Sequence, residues 1–177
     1  MSSRIFSLLL LASLLTLPAT AAEEGLQRNE LSLGFGGAFG EASPDSGGLI
    51  DLHYARALSD ELWLVLRPEF VMNLNAPEDT VAKKAAFGLD IGARYHLGPM
   101  DTVHFALGLS LGARGYFEPG YGACLRLDAH LYVPVNRFLD VVISGALESG
   151  PARLGDESPR WVMQARGDVW MGAAFRF

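Results

Sequence analysis

The sequence predicts an all-β fold, an eight-stranded antiparallel up-and-down transmembrane β-barrel, on three observations. Apolar and polar residues alternate with a period of two over nearly the whole chain beyond residue 28, as in strands with two unlike faces. The alternation falls into eight segments, joined in turn by a longer polar loop and a tight turn. The polar face mixes charges of both signs with Gly and Ala, a composition suited to a narrow lumen rather than to open water.

Ahead of these segments, "MSSRIFSLLLLASLLTLPATAAEE" places Arg4 before an apolar run from Ile5 to Leu17, followed by small residues at Ala19–Ala21. This reads as a secretory signal over residues 1–21, because the run is shorter than the roughly 20 residues of a spanning helix and Pro18 breaks it. Residues 22–177 form the barrel domain.

The segments are Asn29–Gly40, Gly48–Leu58, Glu61–Leu74, Ala85–Leu97, Thr102–Gly115, Tyr121–Val135, Arg137–Glu148 and Arg160–Phe177. The first presents Leu31, Leu33 and Phe35 on one face and Glu30, Gly34, Gly36 and Ala38 on the other. The second opposes Ile50, Leu52 and Tyr54 to Asp51 and His53, and the third Leu62, Leu64, Leu66, Phe70 and Met72 to Arg67 and Glu69. Phe87, Leu89, Ile91 and Tyr95 oppose Gly88, Asp90, Gly92 and Arg94 in the fourth, and in the fifth Phe105, Leu107, Leu109 and Leu111 oppose His104, Gly108, Gly112 and Arg114. The sixth sets Leu125, Leu127, Leu131 and Val133 against Arg126, Asp128 and His130, and the seventh Val141, Ile143 and Leu147 against Asp140 and Glu148. The eighth ends "DVWMGAAFRF", apolar on one side to its last residue, Phe177; a chain end is normally solvated, so this strand expects an apolar neighbour.

Alternation alone does not say which face is inside, since a soluble barrel turns the apolar face inward and a membrane barrel turns it outward. The small residues decide, because Gly and Ala have poor strand propensity and offer water nothing, whereas a packed lumen needs a small neighbour for every long ionic side chain. The connections agree. Longer loops such as "NAPEDTVAKK" alternate with turns such as "GPMD" and "PVN", and an even strand number puts both termini at the turn end. Aromatic residues gather towards the strand ends: Tyr54, Tyr95, Phe105, Phe138, Phe175 and Phe177 near the turns, and Phe39, Phe70, Phe87, Tyr116, Phe117, Tyr121 and Trp161 near the loops. These predict two interfacial girdles.

With these features the chain resembles the small eight-stranded outer-membrane barrels of Gram-negative bacteria, such as the OmpA transmembrane domain and OmpX. The resemblance implies a monomer in the cell outer membrane with its termini in the periplasm, lipid and lipopolysaccharide around it, and loops outside. The terminal "FRF" resembles the aromatic signature read by the barrel assembly machinery in this class, which implies an assembly role for Phe175 and Phe177.

Composition excludes other classes. A net charge of -6, with Lys83 and Lys84 the only lysines, argues against nucleic-acid binding. One cysteine, Cys124, precludes an internal disulfide, and no Cys/His spacing predicts a metal; no cofactor is expected.

Three candidate sites remain. The lumen charges Asp51, Arg67, Glu69, Asp90 and Arg94, with Arg126, Asp128, Arg166 and Asp168, are expected to form an ion-paired plug, since an eight-stranded barrel is just wide enough for side chains to fill. A catalytic reading rests on His130 and Asp140, expected to face each other across the "PVN" turn, but Ser144 lies about 13 Å from Asp140 at strand rise and completes no triad. Lys83, Lys84, Arg153 and Arg160 are expected in loops, positioned for lipopolysaccharide phosphates. The function expected is non-enzymatic, in envelope structure or surface contact through the loops; the alternatives are a deacylase-like lipid A modifying enzyme and a narrow channel.

Overall fold

A computed structural model of the chain describes residues 28–40, 47–72, 85–116, 120–154 and 160–177; the signal expected at residues 1–21, Lys83, Lys84 and the expected girdle residue Phe117 lie outside them. Eight strands form: β1 (Asn29–Gly40), β2 (Gly47–Ala57), β3 (Leu62–Met72), β4 (Ala85–Leu97), β5 (His104–Tyr116), β6 (Gly120–Asn136), β7 (Leu139–Leu154) and β8 (Arg160–Arg176). Each pairs antiparallel with the next, and β1 pairs with β8 from Glu30↔Arg176 to Gly40↔Arg166, closing the barrel. The backbone amides of Asn29 and Phe177 each donate to the other's carbonyl (3.0 and 2.9 Å), so the C-terminal residue is sewn into the closing seam.

The polarity is inverted relative to a soluble barrel. Leu33, Leu109, Leu127, Leu147, Met163 and Val169 stand on the exposed face, whereas Glu30, Asp51, Arg67, Glu69, Asp90, Arg126 and Asp168 are buried. The glycines are where the long inward side chains demand them. A Cβ on Gly112 would overlap the Asp90 carboxylate, and one on Gly34 the indole of Trp170.

Two sequence expectations need correction. The seventh strand does not end at Glu148: β7 continues to Leu154 because Ser149–Leu154 pair in unbroken register with β8. The β7–β8 hairpin therefore rises beyond Gly40, where pairing with β1 stops. Tyr116, assigned to the outer girdle, instead points inward, and its hydroxyl donates to the side-chain oxygen of Gln164.

The turn end is narrowed from within. Met100, in the β4–β5 turn, packs against the buried Ala55, Trp63 and Val65. Its carbonyl accepts from Arg176 Nη1 (2.9 Å), while Arg176 Nη2 donates to Asp140 Oδ1 (2.6 Å).

Candidate functional site

The inward residues divide into two levels. The level nearer the loops is a network of guanidinium and carboxylate groups. Arg67, on β3, donates from Nε to Asp51 Oδ2 on β2 (2.5 Å) and lies 3.2 Å from Glu69 and 3.5 Å from Asp90. Arg126, on β6, clasps Asp168 on β8 with both terminal nitrogens (2.6 and 2.8 Å), the bidentate geometry that suits a planar fork. Arg166 reaches from β8 across the lumen to Glu69 and also donates to Glu148 on β7 (2.9 Å). The charges expected near β2–β4 and those near the later strands thus belong to one connected set.

Two members were not in the expected network. Arg114 donates to Asp90 (2.6 Å) and to Glu148 (2.9 Å from Nε), and lies 3.2 Å from Glu69. Glu69, Asp90 and Glu148 bring one oxygen each within 4.8 Å of the others, a spacing that could hold a cation, but the Arg114 guanidinium pairs with all three and supplies that charge itself. The signal was available. Arg114 shares the inward phase of its strand, and Glu148 falls directly opposite both Arg126 and Arg166.

Nearer the turns, charge gives way to rings. All four histidines of the chain, His53, His96, His104 and His130, are buried here with Trp63, Trp170 and Tyr132. His104 stacks on Tyr132 (centroids 4.9 Å apart, planes 3° apart), and His53 and Trp170 meet edge-on at 5.1 Å. Arg94 enters this layer, donating to Glu30 (2.9 Å) and to His53 Nδ1 (2.6 Å). Because a guanidinium only donates, His53 Nδ1 is the acceptor and its Nε2 carries the proton facing Asp51. By the same logic His104 Nδ1 donates to the Thr102 carbonyl (2.9 Å), and His104 Nε2 faces His96 Nδ1 at 3.1 Å. The hydrogen-bond partners therefore fix the role of Nδ1 as acceptor in His53 and as donor in His104.

The catalytic candidates are rearranged. His130 lies opposite Ser144, not Asp140, and Asp140 lies opposite Pro134, four residues closer to the turn. Asp140 is engaged by Arg176. His130 Nε2 is bonded to Asp128, which sits 3.8 Å from Arg126, and neither His130 Nδ1 nor Ser144 Oγ has a hydrogen-bond partner among the described residues. Ser144, His130 and Asp128 are thus neighbours on the inward face, with Ser144 and His130 both buried.

Of the cationic loop candidates, Arg153 moves. Arg153 lies on β7 and faces outward, beside Tyr121 and Trp161 on the adjoining strands, and Arg160 is the first residue of β8. Phe175 and Phe177 face outward at the turn end, 51% and 61% exposed.

No family model matches the sequence, and no curated protein matches it. Solved structures do match. Neisserial surface protein A superposes with a TM-score of 0.64 at 15% identity, over 84% of this chain and 97% of that one. The N-terminal β-barrel domain of Pseudomonas aeruginosa OprF gives 0.55 at 14% identity, over 85% and 98%. The outer membrane protein OprG of the same species gives 0.55 at 12%, over 85% and 96%. The chain has the closed eight-stranded architecture of these small outer-membrane barrels.

Proposed function

We propose that the protein is a monomeric, integral outer-membrane barrel with a sealed lumen, acting without catalysis in envelope structure or surface contact through its loop end. Residues 1–21 serve as its export signal, its termini lie in the periplasm, and the C-terminal strand with Phe175 and Phe177 is the feature addressed by the barrel assembly machinery. The observation that carries this reading is the inverted polarity. An apolar band runs around the whole outer face, far larger than the patch of a few hundred Å² that a soluble monomer ordinarily exposes, around a lumen of mutually paired charges. Refolded in maltoside micelles, residues 22–177 are expected to give a heat-modifiable monomer that floats with liposomes. A chain that stays folded and monomeric in detergent-free buffer would put the apolar face inside and end the reading.

One observation favours a second reading, a lipid A modifying enzyme: the adjacency of Ser144, His130 and Asp128. Mass spectrometry of lipid A from cells with and without the protein separates the two. An acyl chain lost or moved, and restored by His130→Ala, supports the enzyme; unchanged lipid A supports the first reading.

A further inference from the structure

Six arginines among the described residues face inward and pair with carboxylates: Arg67, Arg94, Arg114, Arg126, Arg166 and Arg176. Arg153 is different. It lies on the outward face of the raised β7–β8 hairpin and forms no ion pair with a described residue. Its guanidinium carbon stands 5.9 Å from the centre of the Tyr121 ring, and Nη1 donates to the Tyr121 hydroxyl (3.4 Å). Tyr121 and Trp161, its cross-strand neighbours on β6 and β8, meet edge-on with centroids 6.2 Å apart, and both are more than half exposed. The Tyr121 ring holds a cation in place without neutralising it, and the Trp161 ring stands edge-on beside Tyr121.

Height along the barrel identifies its surroundings. Arg153 is 14 residues from Leu139 at the turn end, which at ~3.3 Å per residue and ~40° tilt is ~35 Å along the axis, beyond an apolar band of ~25 Å. Tyr and Trp rings concentrate at the headgroup level of a membrane, the level at which the ionic groups of lipids lie. An outward-facing guanidinium fixed there meets lipid headgroups, and the anion among them that matches its planar fork is phosphate.

We propose that Tyr121, Arg153 and Trp161 form a binding site for the phosphate of an anionic glycolipid, of the lipid A type, in the outer leaflet. Arg153 supplies paired N–H donors to the phosphate, and the rings orient it and pack against the sugar and the top of the acyl chains. The site rests on the outer-membrane reading above and gives that reading a lipid partner.

The test is retention of bis-phosphorylated lipid A by protein in maltoside micelles, read by native mass spectrometry. Wild-type protein is expected to retain it about tenfold better than Arg153→Ala, with Arg153→Lys intermediate because an ammonium does not present the fork. Dephosphorylated lipid A should bind wild type and Arg153→Ala equally, and millimolar inorganic phosphate should displace nothing. Equal retention of the phosphorylated lipid by wild type and Arg153→Ala overturns the site, and displacement by inorganic phosphate overturns the lipid as its ligand. Flotation of both variants with liposomes is scored in parallel: if both float, a lost difference counts against the site alone, whereas failure of both to float counts against the membrane reading.

Discussion

The two levels of the lumen fill the same cylinder with different chemistry. The loop-side level joins Arg67, Arg114, Arg126 and Arg166 to Asp51, Glu69, Asp90, Glu148 and Asp168, so that every guanidinium reaches at least two carboxylates. The turn-side level stacks four histidines, two tryptophans and Tyr132 around Arg94. In the first, position is set by charge, and removing one member leaves buried partners of unbalanced sign. In the second, position is set by ring packing and by hydrogen bonds that neutral groups can lose at small cost. The same strands pass through both, so the difference lies in the side chains rather than the backbone.

This contrast sets an order of effects. The largest is expected from Arg114→Ala, which leaves Asp90, Glu69 and Glu148 facing one another; breaking a buried ionic network by deleting one partner costs about 3–5 kcal/mol. Reversible urea unfolding in micelles measures it, and a loss below about 1 kcal/mol would show that the network does not hold the loop-side level together. A smaller effect, about 1–3 kcal/mol, is expected from Gly112→Ala, whose new methyl would push the Asp90 carboxylate away from Arg114. Combined with Asp90→Asn, the glycine substitution should cost clearly less than the sum of the two; strict additivity would uncouple it from the carboxylate. The smallest is expected from Tyr132→Phe, which keeps the stack on His104 and loses the hydroxyl's bonds to Glu30 (3.1 Å) and Arg94, about 1.5 kcal/mol, the low end for charged partners because Arg94 and Glu30 keep each other. If Tyr132→Phe costs as much as Arg114→Ala, the two levels do not differ as described.

Most of the barrel was legible because period-two alternation, turn residues and small inward residues are local signals that agree with one another. β1 and β4 run between the expected residues. The end of β7 was hidden because "SGPARL" has the composition of a loop, and only pairing with β8 makes it strand. That error concealed Arg153 as an outward-facing strand residue. The opposition of His130 to Asp140 failed on distance from the turn: Asp140 is one residue into β7 and pairs with Pro134, whereas His130 lies four residues further back along β6, opposite Ser144, and the one-residue shift between Pro134 and Asn136 does not bridge that gap. The aromatic level was illegible as a site because Trp63, Tyr132 and Trp170 look like core residues one at a time; closing the barrel brings β3, β6 and β8 together around the histidines of β2, β4, β5 and β6.

The central claim is that paired side chains close this lumen. Single-channel recording of the wild-type protein in planar bilayers tests it most directly: the expected trace stays at baseline, with no regular current steps at moderate voltage. Large, uniform, reproducible steps from the wild-type protein would show a continuous water path past Arg67, Arg114, Arg126 and Arg166, and would contradict it.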